Sequence, residues 1–423
     1  MNQAVPVVPN LASTAVLTAV AWAAAGPAAA QSIRSLGAPP SAVFTIAKGI
    51  SADGSTVVGY SNSASGPDRA FRWTADGGLR LLDVFPGSDG GWVQAISGDG
   101  SAVVGQHVFR SPGGTTHSRA ALWNAAGQAS DFGAVLSSTS IASVAMAVSS
   151  DAGVIVGFVG DSSVSIPVRW NAVEGTVQLP RLPGGPVYGR ATAVSADGSV
   201  VAGYFSTYVN PKDRPFRWTA GTGTVALQLP PGAVRGIARG ISADGLFIVG
   251  NVVTAAGGRP VRWNAAGQLE DLGLLAGWTL PDSRAANADG SVIIGSAVTE
   301  DGDRAFVWTE CGGIVPLEQR LAEQGVDLEG WYALSEAHAV DASGRFVAGV
   351  GNFNGSTRPF LADLGPGAGR SPDLDRDGAV DGIDLGLMLA GWGGTGAADL
   401  DGSGSVDGLD LGLLLASWGA CGR

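Results

Sequence analysis

The sequence predicts an all-β fold, a seven-bladed β-propeller of four-stranded repeats closed by N- and C-terminal strands, followed by a small α-helical calcium-binding domain. Three observations lead to this prediction: a Ser-Ala-Asp-Gly-like turn occurs seven times, successive turns lie 45 to 54 residues apart, and a doubled Asp-rich pattern follows the last repeat. Four short strands in such a repeat are typical of one propeller blade.

Each turn is followed by a short β-branched run that ends in glycine and then by a string such as Arg-Ala-Phe-Arg-Trp (69–73). Apolar runs of period two that are separated by Asp-Gly turns predict strands in hairpins. Each repeat is therefore expected to contain four strands, of which the fourth is a Leu-rich segment such as 79–84. The turns end at Gly54, Gly100, Ala152, Gly198, Gly245, Gly290 and Gly344.

The two ends of the repeat region predict how the ring closes. Residues 33–37 look like an isolated copy of the fourth strand, and the last repeat stops after its third strand at 358–362. Pairing these two segments would complete a seventh blade and remove the exposed sheet edges that favour aggregation. Residues 32–365 are therefore expected to form the propeller.

The Arg and Trp of the repeated string have two interpretations. Alternation along a strand places Arg69, Phe71 and Trp73 on one face, where a ring of such residues could line a ligand channel. Alternatively, Trp fills the space between blades and Arg pairs with a nearby carboxylate. The structural interpretation is favoured because each residue occurs in six of the seven repeats, whereas a binding site usually breaks the symmetry of a repeat.

Residues 1–30 are predicted to be a signal peptide, since an apolar stretch at 11–26 precedes an Ala-rich cleavage site at 28–30. The protein is expected to be secreted or on the cell surface. No other apolar stretch is long enough to span a membrane. The net charge of −12 argues against a nucleic-acid partner.

The repeats contain no recognisable catalytic motif. The three histidines, at 107, 117 and 338, lie in unrelated contexts, and a glycosidase would need two carboxylates about 5–10 Å apart. Nothing in the sequence singles out such a pair among its candidates, so a non-catalytic role is favoured; an enzyme of this kind would be a glycoside hydrolase or another polysaccharide-degrading enzyme. The candidates are Glu300, Asp301, Asp303, Glu310, Glu318 and Glu336.

Taken together, the segment ISADGSTVVGY (50–60), the string RAFRW and the Leu-rich strand that follows resemble the HAF family of bacterial extracellular repeats. The resemblance extends over the propeller region. It implies an exported bacterial protein and no common activity.

After a Pro/Gly linker (366–372), two loops 26 residues apart have oxygen-bearing residues at positions 1, 3, 5, 9 and 12 and glycine at position 6. This is the pattern by which a loop binds Ca²⁺. Residues 371–423 contain nine Asp and two Arg and so carry −7 of the net charge. A solvated acidic tail would not explain the doubled spacing, so we expect two calcium ions.

A loop followed by a helix, duplicated and with Asp at position 12, resembles a type I dockerin module over 373–418. The resemblance implies two sets of calcium ligands, of which the second is weaker because Ser403 replaces a carboxylate or amide. The first set is Asp373, Asp375, Asp377, the Ala379 carbonyl, Asp381 and Asp384. The second set is Asp399, Asp401, Ser403, the Ser405 carbonyl, Asp407 and Asp410.

The dockerin resemblance also implies a partner, a cohesin-like or other surface or scaffold protein. Such partners contact loop positions 10 and 11, which are Gly382, Ile383, Gly408 and Leu409 here. The ending at 418–421 also resembles a subtype that serves as a surface anchor.

Three hypotheses follow. The protein is a non-catalytic propeller attached through its calcium-dependent module (373–420), or a carbohydrate-binding or glycan-hydrolysing subunit of a polysaccharide-degrading complex, or the calcium module is purely structural and packs on the propeller. Cys311 and Cys421 could pair, which would tie the module to the sixth repeat, and a free thiol is equally allowed.

Overall fold

The computed structural model describes residues 31–64, 66–110, 116–132, 142–160, 164–183, 188–206 and 213–421. The predicted signal peptide (1–30) lies outside the described residues. Among the helices of the described part, none is long and apolar enough to cross a membrane.

Seven four-stranded antiparallel sheets form the blades of a β-propeller, which confirms the predicted fold class. Strand β1 (Ser32–Ser35) belongs to blade 7. Blades 1 to 3 comprise β2 (Ala42–Ile50), β3 (Thr56–Ser63), β4 (Arg69–Thr74), β5 (Gly78–Leu81); β6 (Gly91–Ile96), β7 (Ala102–Arg110), β8 (Thr116–Asn124), β9 (Ala129–Asp131); and β10 (Ala142–Val148), β11 (Val154–Gly160), β12 (Ser165–Asn171), β13 (Gly175–Gln178).

The remaining blades follow the same order, from the innermost strand outwards. Blades 4 to 6 comprise β14 (Tyr188–Val194), β15 (Val200–Ser206), β16 (Asp213–Thr219), β17 (Gly223–Ala226); β18 (Arg235–Ile241), β19 (Ile248–Thr254), β20 (Gly257–Trp263), β21 (Leu269–Asp271); and β22 (Thr279–Ala286), β23 (Val292–Thr299), β24 (Gly302–Thr309), β25 (Gly313–Pro316). Blade 7 contains β26 (Trp331–Val340), β27 (Phe346–Phe353) and β28 (Ser356–Asp363).

Strand β1 completes blade 7, as the two ends of the repeat region predicted. It pairs antiparallel with β28 in a register that places Ser32 opposite Asp363 and Ser35 opposite Phe360. The next residue, Leu36, is buried and donates its backbone N–H to the carbonyl of Pro359 (3.0 Å). The N-terminal strand thereby covers the outer edge of β28, an edge that would otherwise present unpaired backbone groups.

The repeated Ser-Ala-Asp-Gly turn has a local and a long-range role. In the first turn, Ser51 donates to Asp53 (2.5 Å) and accepts from the backbone N–H of Thr56 (3.0 Å), while Gly54 adopts φ +72°. Glycine allows this left-handed conformation without strain. The fixed spacing of serine, aspartate and glycine is therefore what this turn geometry requires.

Backbone hydrogen bonds join each turn to the turn of the next blade and so form a closed ring of seven links. Each link is 2.9 to 3.1 Å long. The donor and acceptor pairs are Ala52–Gly98, Asp99–Ser150, Ser150–Ala196, Ala196–Ala243, Asp244–Ala288, Ala288–Ala342 and Ala342–Ala52.

The hydrophobic core lies between adjacent blades. One cluster combines Val57, Phe71 and Trp73 of blade 1 with Ala348 and Leu361 of blade 7. Such contacts favour the structural interpretation of the repeated tryptophan.

The leading arginine of the string also has structural partners. Arg119 forms an ion pair with Asp131 on the neighbouring strand (2.9 Å), and Arg69 donates to the carbonyl of Leu82 (3.2 Å). These bonds tie the third strand of a blade to its outermost strand.

Helix α1 (Leu317–Glu323) directly follows β25. Its two leucines, Leu317 and Leu321, are fully buried in the core between blades 6 and 7.

The C-terminal module contains helices α2 (Gly382–Ala390) and α3 (Gly408–Ala416) and the short strands β29 (Ala379–Val380) and β30 (Gly419–Ala420). Each loop pairs with the chain that leaves the other helix. β29 pairs with β30, and Val406 exchanges backbone hydrogen bonds with Gly393 and Gly394. The two halves are thus related by the duplication seen in the sequence. Their shared core contains Val380, Met388, Leu400, Val406, Leu414 and Cys421.

The module packs on the propeller. Cys311, on the turn that follows β24, forms a disulfide with Cys421, which settles the pairing that the sequence left open. The linker takes part, because Ser291 donates to the carbonyl of Gly369 (2.7 Å).

The two loops differ in how they meet the propeller side of the module. Arg376, in the first loop, adopts φ +62° and pairs with Asp289 in the turn of blade 6 (2.7 Å). Gly402 holds the equivalent place in the second loop with φ +70°, and a Cβ there would lie 2.5 Å from the carbonyl of Pro366. Loop one therefore holds the propeller through a side chain, and loop two packs on the linker through its backbone.

Candidate functional site

The first acidic loop brings three of its predicted ligands together. Asp373, Asp375 and Asp377 each offer a carboxylate oxygen, and these atoms lie within 4.8 Å of one another. Gly378 adopts φ +95° and donates its N–H to Asp373 (2.9 Å). Glycine at loop position 6 therefore allows the sharp turn that places the carboxylates on one centre.

The second loop has the same arrangement. Carboxylate oxygens of Asp399, Asp401 and Asp410 lie within 4.8 Å of one another, and Gly404 donates to Asp399 (3.0 Å). Asp399 is only 1% exposed, and its Oδ1 atom has no hydrogen-bond partner among the described residues. A buried carboxylate oxygen without a donor is costly unless a cation compensates it. The described residues contain these two groups that could hold a metal ion.

The carboxylates at positions 9 and 12 also organise the helices. Asp381 caps α2 by accepting from the N–H of Ile383 (2.7 Å), and the fully buried Asp384 accepts from the N–H groups of Leu374 (2.6 Å) and Asp381 (2.8 Å). Asp381 and Asp384 lie outside the compact group of the first loop. Each loop is consequently fixed to the start of its helix by a capping box.

The second loop repeats this helix start with Asp407 as N-cap and Asp410 as its capping-box partner. Ser403 donates to the Ser405 carbonyl (3.3 Å), so these two predicted ligands are in contact with each other. Ser403 stands at the loop position where the first loop has a carboxylate.

The concentration of negative charge in the two loops favours binding of a cation. Four carboxylates, those of Asp373, Asp384, Asp399 and Asp410, are at most 1% exposed. Desolvation, together with the charges of neighbouring carboxylates, raises the pKa of Asp375. A hard divalent cation with oxygen ligands fits such a donor set.

The two helices expose large apolar side chains at matching positions. Eight residues, four from each half and 26 positions apart, are between 45% and 68% exposed. The pairs are Ile383 with Leu409, Leu387 with Leu413, Leu389 with Leu415, and Trp392 with Trp418. All four predicted partner-binding residues, Gly382, Ile383, Gly408 and Leu409, are exposed. Exposed apolar patches of this kind mark interaction surfaces.

The propeller also contains a charged cluster of which the sequence analysis had named only Glu336 as a candidate site residue. The innermost strands of the seven blades contact one another around the central axis. Four consecutive blades, 5, 6, 7 and 1, place charged or titratable side chains there, namely Arg239, Asp282, Arg284, Glu336, His338 and Lys48. These residues come from four strands that lie far apart in the chain, so no local sequence pattern shows that they lie together.

Contacts in this cluster alternate in charge. Asp282 accepts from Arg239 (3.0 Å) and lies 3.2 Å from Arg284, which in turn pairs with Glu336 (2.6 Å). Glu336 also lies 3.0 Å from Nε2 of His338. The network therefore crosses three blade interfaces without a break.

The environment shifts three pKa values in the cluster. Burial lowers the pKa of His338 to about 4. Contact with the imidazole of His338, followed by the charges of Arg284 and Lys48, lowers the pKa of Glu336 to about 2. Burial, followed by repulsion from Arg284, lowers the pKa of Lys48 to about 8.

Comparison with known proteins supports the fold. No protein-family model and no curated protein matches the chain. An oligogalacturonate lyase in complex with manganese aligns with a TM-score of 0.53 and 14% identity, covering 78% of this chain and 93% of its own.

The oligogalacturonate lyase of Vibrio parahaemolyticus gives a TM-score of 0.51 at 11% identity, with the same coverage of 78% and 93%. The β-propeller domain of the trilobed protease of Pyrococcus furiosus gives 0.49 at 11% identity, over 76% of this chain and 94% of that domain. At these identities the similarity to the two lyases shows the β-propeller fold alone.

Proposed function

We propose that the protein is a secreted, non-catalytic β-propeller that is attached to a cell-surface or extracellular assembly through its C-terminal module, which holds two calcium ions. The observation that carries this proposal is the matched exposure of apolar side chains on α2 and α3. Folding normally buries residues such as Leu413 and Trp418, so two loop-helix halves that expose them in duplicate suit a partner's surface.

Calcium is the metal of the proposal because the donors are all oxygens. The two loops offer carboxylates, a serine hydroxyl and backbone carbonyls, which suit Ca²⁺ and lack the His and Cys ligands that zinc prefers. The residues that would hold the ions are the two predicted sets in 373–384 and 399–410. Bound calcium would neutralise the buried carboxylates and thereby stabilise the start of each helix.

The proposed partner is a cohesin-like or other scaffold protein with an apolar binding surface. Its basic residues would surround that surface, because residues 371–423 carry a net charge of −7 that two calcium ions reduce without reversing. Ile383 and Leu409, at loop position 11, would lie at the centre of the contact.

The disulfide supports attachment of the whole propeller. Because Cys421 is bonded to Cys311 of blade 6, force or tethering at the module passes directly to the propeller. The disulfide is also consistent with the hypothesis that calcium only supports the packing of the module on the propeller. The capture experiment below separates this hypothesis from attachment to a partner.

The test is capture of partners from the host envelope and culture supernatant with the full chain as bait, in calcium and in chelator. The double variant Ile383→Asp, Leu409→Asp should lose every partner that wild type captures only in calcium. Val173→Asp is the matched control, since Val173 is 95% exposed on a propeller turn. Calcium-dependent capture that survives in the double variant would contradict the proposal, as would no calcium-dependent capture at all.

A second candidate function is carbohydrate binding or glycan hydrolysis by the propeller. The observation that favours it is the charged cluster on the central axis, which includes two carboxylates, Asp282 and Glu336. The solved structures of similar fold include oligogalacturonate lyases. A glycan panel assayed for binding and for product release tests it, and absence of both would exclude it.

A further inference from the structure

Every innermost strand carries a β-bulge at the same place. The extra residue lies three positions before the first residue of the repeated turn. β-Bulges change the direction in which a side chain points, and they often occur beside functional sites. The seven bulge residues, in blade order, are Lys48, Gln94, Met146, Thr192, Arg239, Arg284 and His338.

The bulge position is where the repeats differ most in chemistry. Its neighbours on either side are small in nearly every blade, for example Ala47 and Gly49, or Ala145 and Ala147. The bulge residue itself ranges from methionine to arginine. Since the surrounding backbone is shared by all blades, packing alone does not account for a cation in some blades and an uncharged residue in others.

The cations form an arc on one side of the axis. Blades 5, 6 and 1 contribute Arg239, Arg284 and Lys48, and blade 4 adds the exposed Arg190, whose guanidinium lies 4.5 Å from the ring centroid of Phe158. Blades 2 and 3 contribute an amide and a thioether. The arc is therefore one-sided, as a binding site is.

The carboxylates near the arc neutralise only part of its positive charge. Lys48, Arg239 and Arg284 face two carboxylates, Asp282 and Glu336, which leaves one positive charge, and two when Arg190 is counted. The whole chain has a net charge of −12. A positive site on the axis of an acidic protein would attract anions selectively.

In the described part of the chain, Lys48 is the cation of the arc that most clearly lacks an acidic partner. Its Nζ atom lies 3.2 Å from Nε2 of His338, and no carboxylate in the described part of the chain lies within 4.0 Å of it. Burial and repulsion from Arg284 lower its pKa to about 8. A half-buried ammonium group without a carboxylate partner costs stability. An anion in the arc would remove that cost.

We propose that this arc binds an oxyanion group of a ligand, a carboxylate of an acidic saccharide, through Lys48, Arg239 and Arg284. Guanidinium groups bind carboxylates with two parallel hydrogen bonds, and the ammonium group adds a third charged donor. This inference names the ligand class of the second candidate function and does not depend on the calcium module.

The test is isothermal titration of the full chain with trigalacturonate, with its neutral counterpart maltotriose, and with sodium sulfate. Wild type should bind trigalacturonate and not maltotriose. Lys48→Met should weaken binding at least about tenfold, as expected for loss of a charge-assisted hydrogen bond. The same variant should melt at the same or a higher temperature, because it removes a half-buried charge that has no carboxylate within 4.0 Å in the described part of the chain. Arg80→Met, an exposed arginine on β5, should bind like wild type.

A second readout follows from proton linkage. Lys48 faces His338 and Glu336 of β26, Asp282 and Arg284 of β22, and Arg239 of β18, so an anion that binds beside it should favour its charged form. Affinity for trigalacturonate should therefore fall as the pH rises from 7 to 9 in wild type and stay level in Lys48→Met.

Four outcomes would overturn the inference. Unchanged affinity for trigalacturonate in Lys48→Met would show that the arc is not part of the binding site. Sulfate that binds as tightly as trigalacturonate would show an anion site without saccharide specificity. Binding of maltotriose alone would exclude the acidic ligand and leave the second candidate function standing. Binding of none of the three probes would also exclude the acidic ligand, and the glycan panel would then decide the second candidate function.

Discussion

The ammonium nitrogen of Lys48, on blade 1, lies 3.2 Å from Nε2 of His338, on blade 7. The other ring nitrogen of His338 lies 2.7 Å from the carbonyl oxygen of Ala47, so Nδ1 carries the proton and Nε2 accepts from Lys48. The histidine thus bonds to two consecutive residues of blade 1. These contacts join the same two blades that meet where the ring closes.

The first prediction concerns acid stability. The pKa of His338 is lowered to about 4, so between pH 6.5 and 4 the unfolded chain binds a proton that the folded chain does not. The free energy of unfolding should fall across this window by up to about 3 kcal/mol. Urea unfolding of wild type and His338→Gln at pH 7 and pH 4.5 measures this. The variant should be less stable at pH 7 and less sensitive to the change, and equal losses in both proteins would contradict the assignment.

The second prediction concerns ring closure by β1. Leu36 is 4% exposed in the core between blades 7 and 1. Leu36→Ala should lower the free energy of unfolding by about 2–5 kcal/mol, the range for large-to-small core substitutions. Arg34→Ala, on the exposed side of the same strand, serves as control and should change it by less than about 1 kcal/mol. A small effect of Leu36→Ala would mean that β1 contributes little to closure.

Much of the propeller could be predicted from the sequence because its signals are local. Ser51, Asp53 and Gly54 form a complete turn within a few residues, and the same turn recurs at a blade's spacing. The missing fourth strand of the last repeat and the isolated copy at 33–37 indicated closure. In the acidic loops, six of the twelve predicted ligands, three from each loop, lie in the two compact groups.

The charged cluster could not be predicted in the same way. Arg239, Arg284 and Lys48 belong to three strands that lie far apart in the chain, and only the ring of blades brings them to one axis. A signal was present, because a polar residue interrupts a run of mostly small residues three positions before six of the seven turns. These residues could be recognised as one cluster only with knowledge of the bulge, and no local sequence pattern marks the bulge. The ion pair between Asp289 and Arg376, 87 residues apart, likewise had no sequence signal.

The third prediction concerns the disulfide. The bond between Cys311 and Cys421 spans 110 residues and fastens the end of the module to blade 6. Its loss should destabilise the module by about 2–5 kcal/mol, as for native disulfides in general. Hydrogen exchange of residues 373–418 in Cys311→Ser and in Cys421→Ser, with calcium present, provides the measurement. Both variants should lose protection in the module and keep it in blades 2 to 5; unchanged protection would show that packing alone holds the module.

The last prediction concerns the order in which the proposed calcium sites fill. Loop one offers a carboxylate at position 5, Asp377, whereas loop two offers Ser403, so loop two should bind calcium more weakly. Titration calorimetry should show two events, and Asp375→Ala should abolish the tighter one.

Ser403→Asp should bring the weaker event close to the stronger, because it restores the missing charge beside Asp399 and Asp401. Ser417→Asp is the matched control: Ser417 is exposed and follows α3, outside both loops. A control that tightens the weaker event equally would show that added negative charge acts at long range. If Ser403→Asp leaves that event unchanged, position 5 does not set the difference between the loops. Chelation should then reduce the helical circular dichroism signal in every variant, since each leaves at least one pair of buried carboxylates that requires a cation.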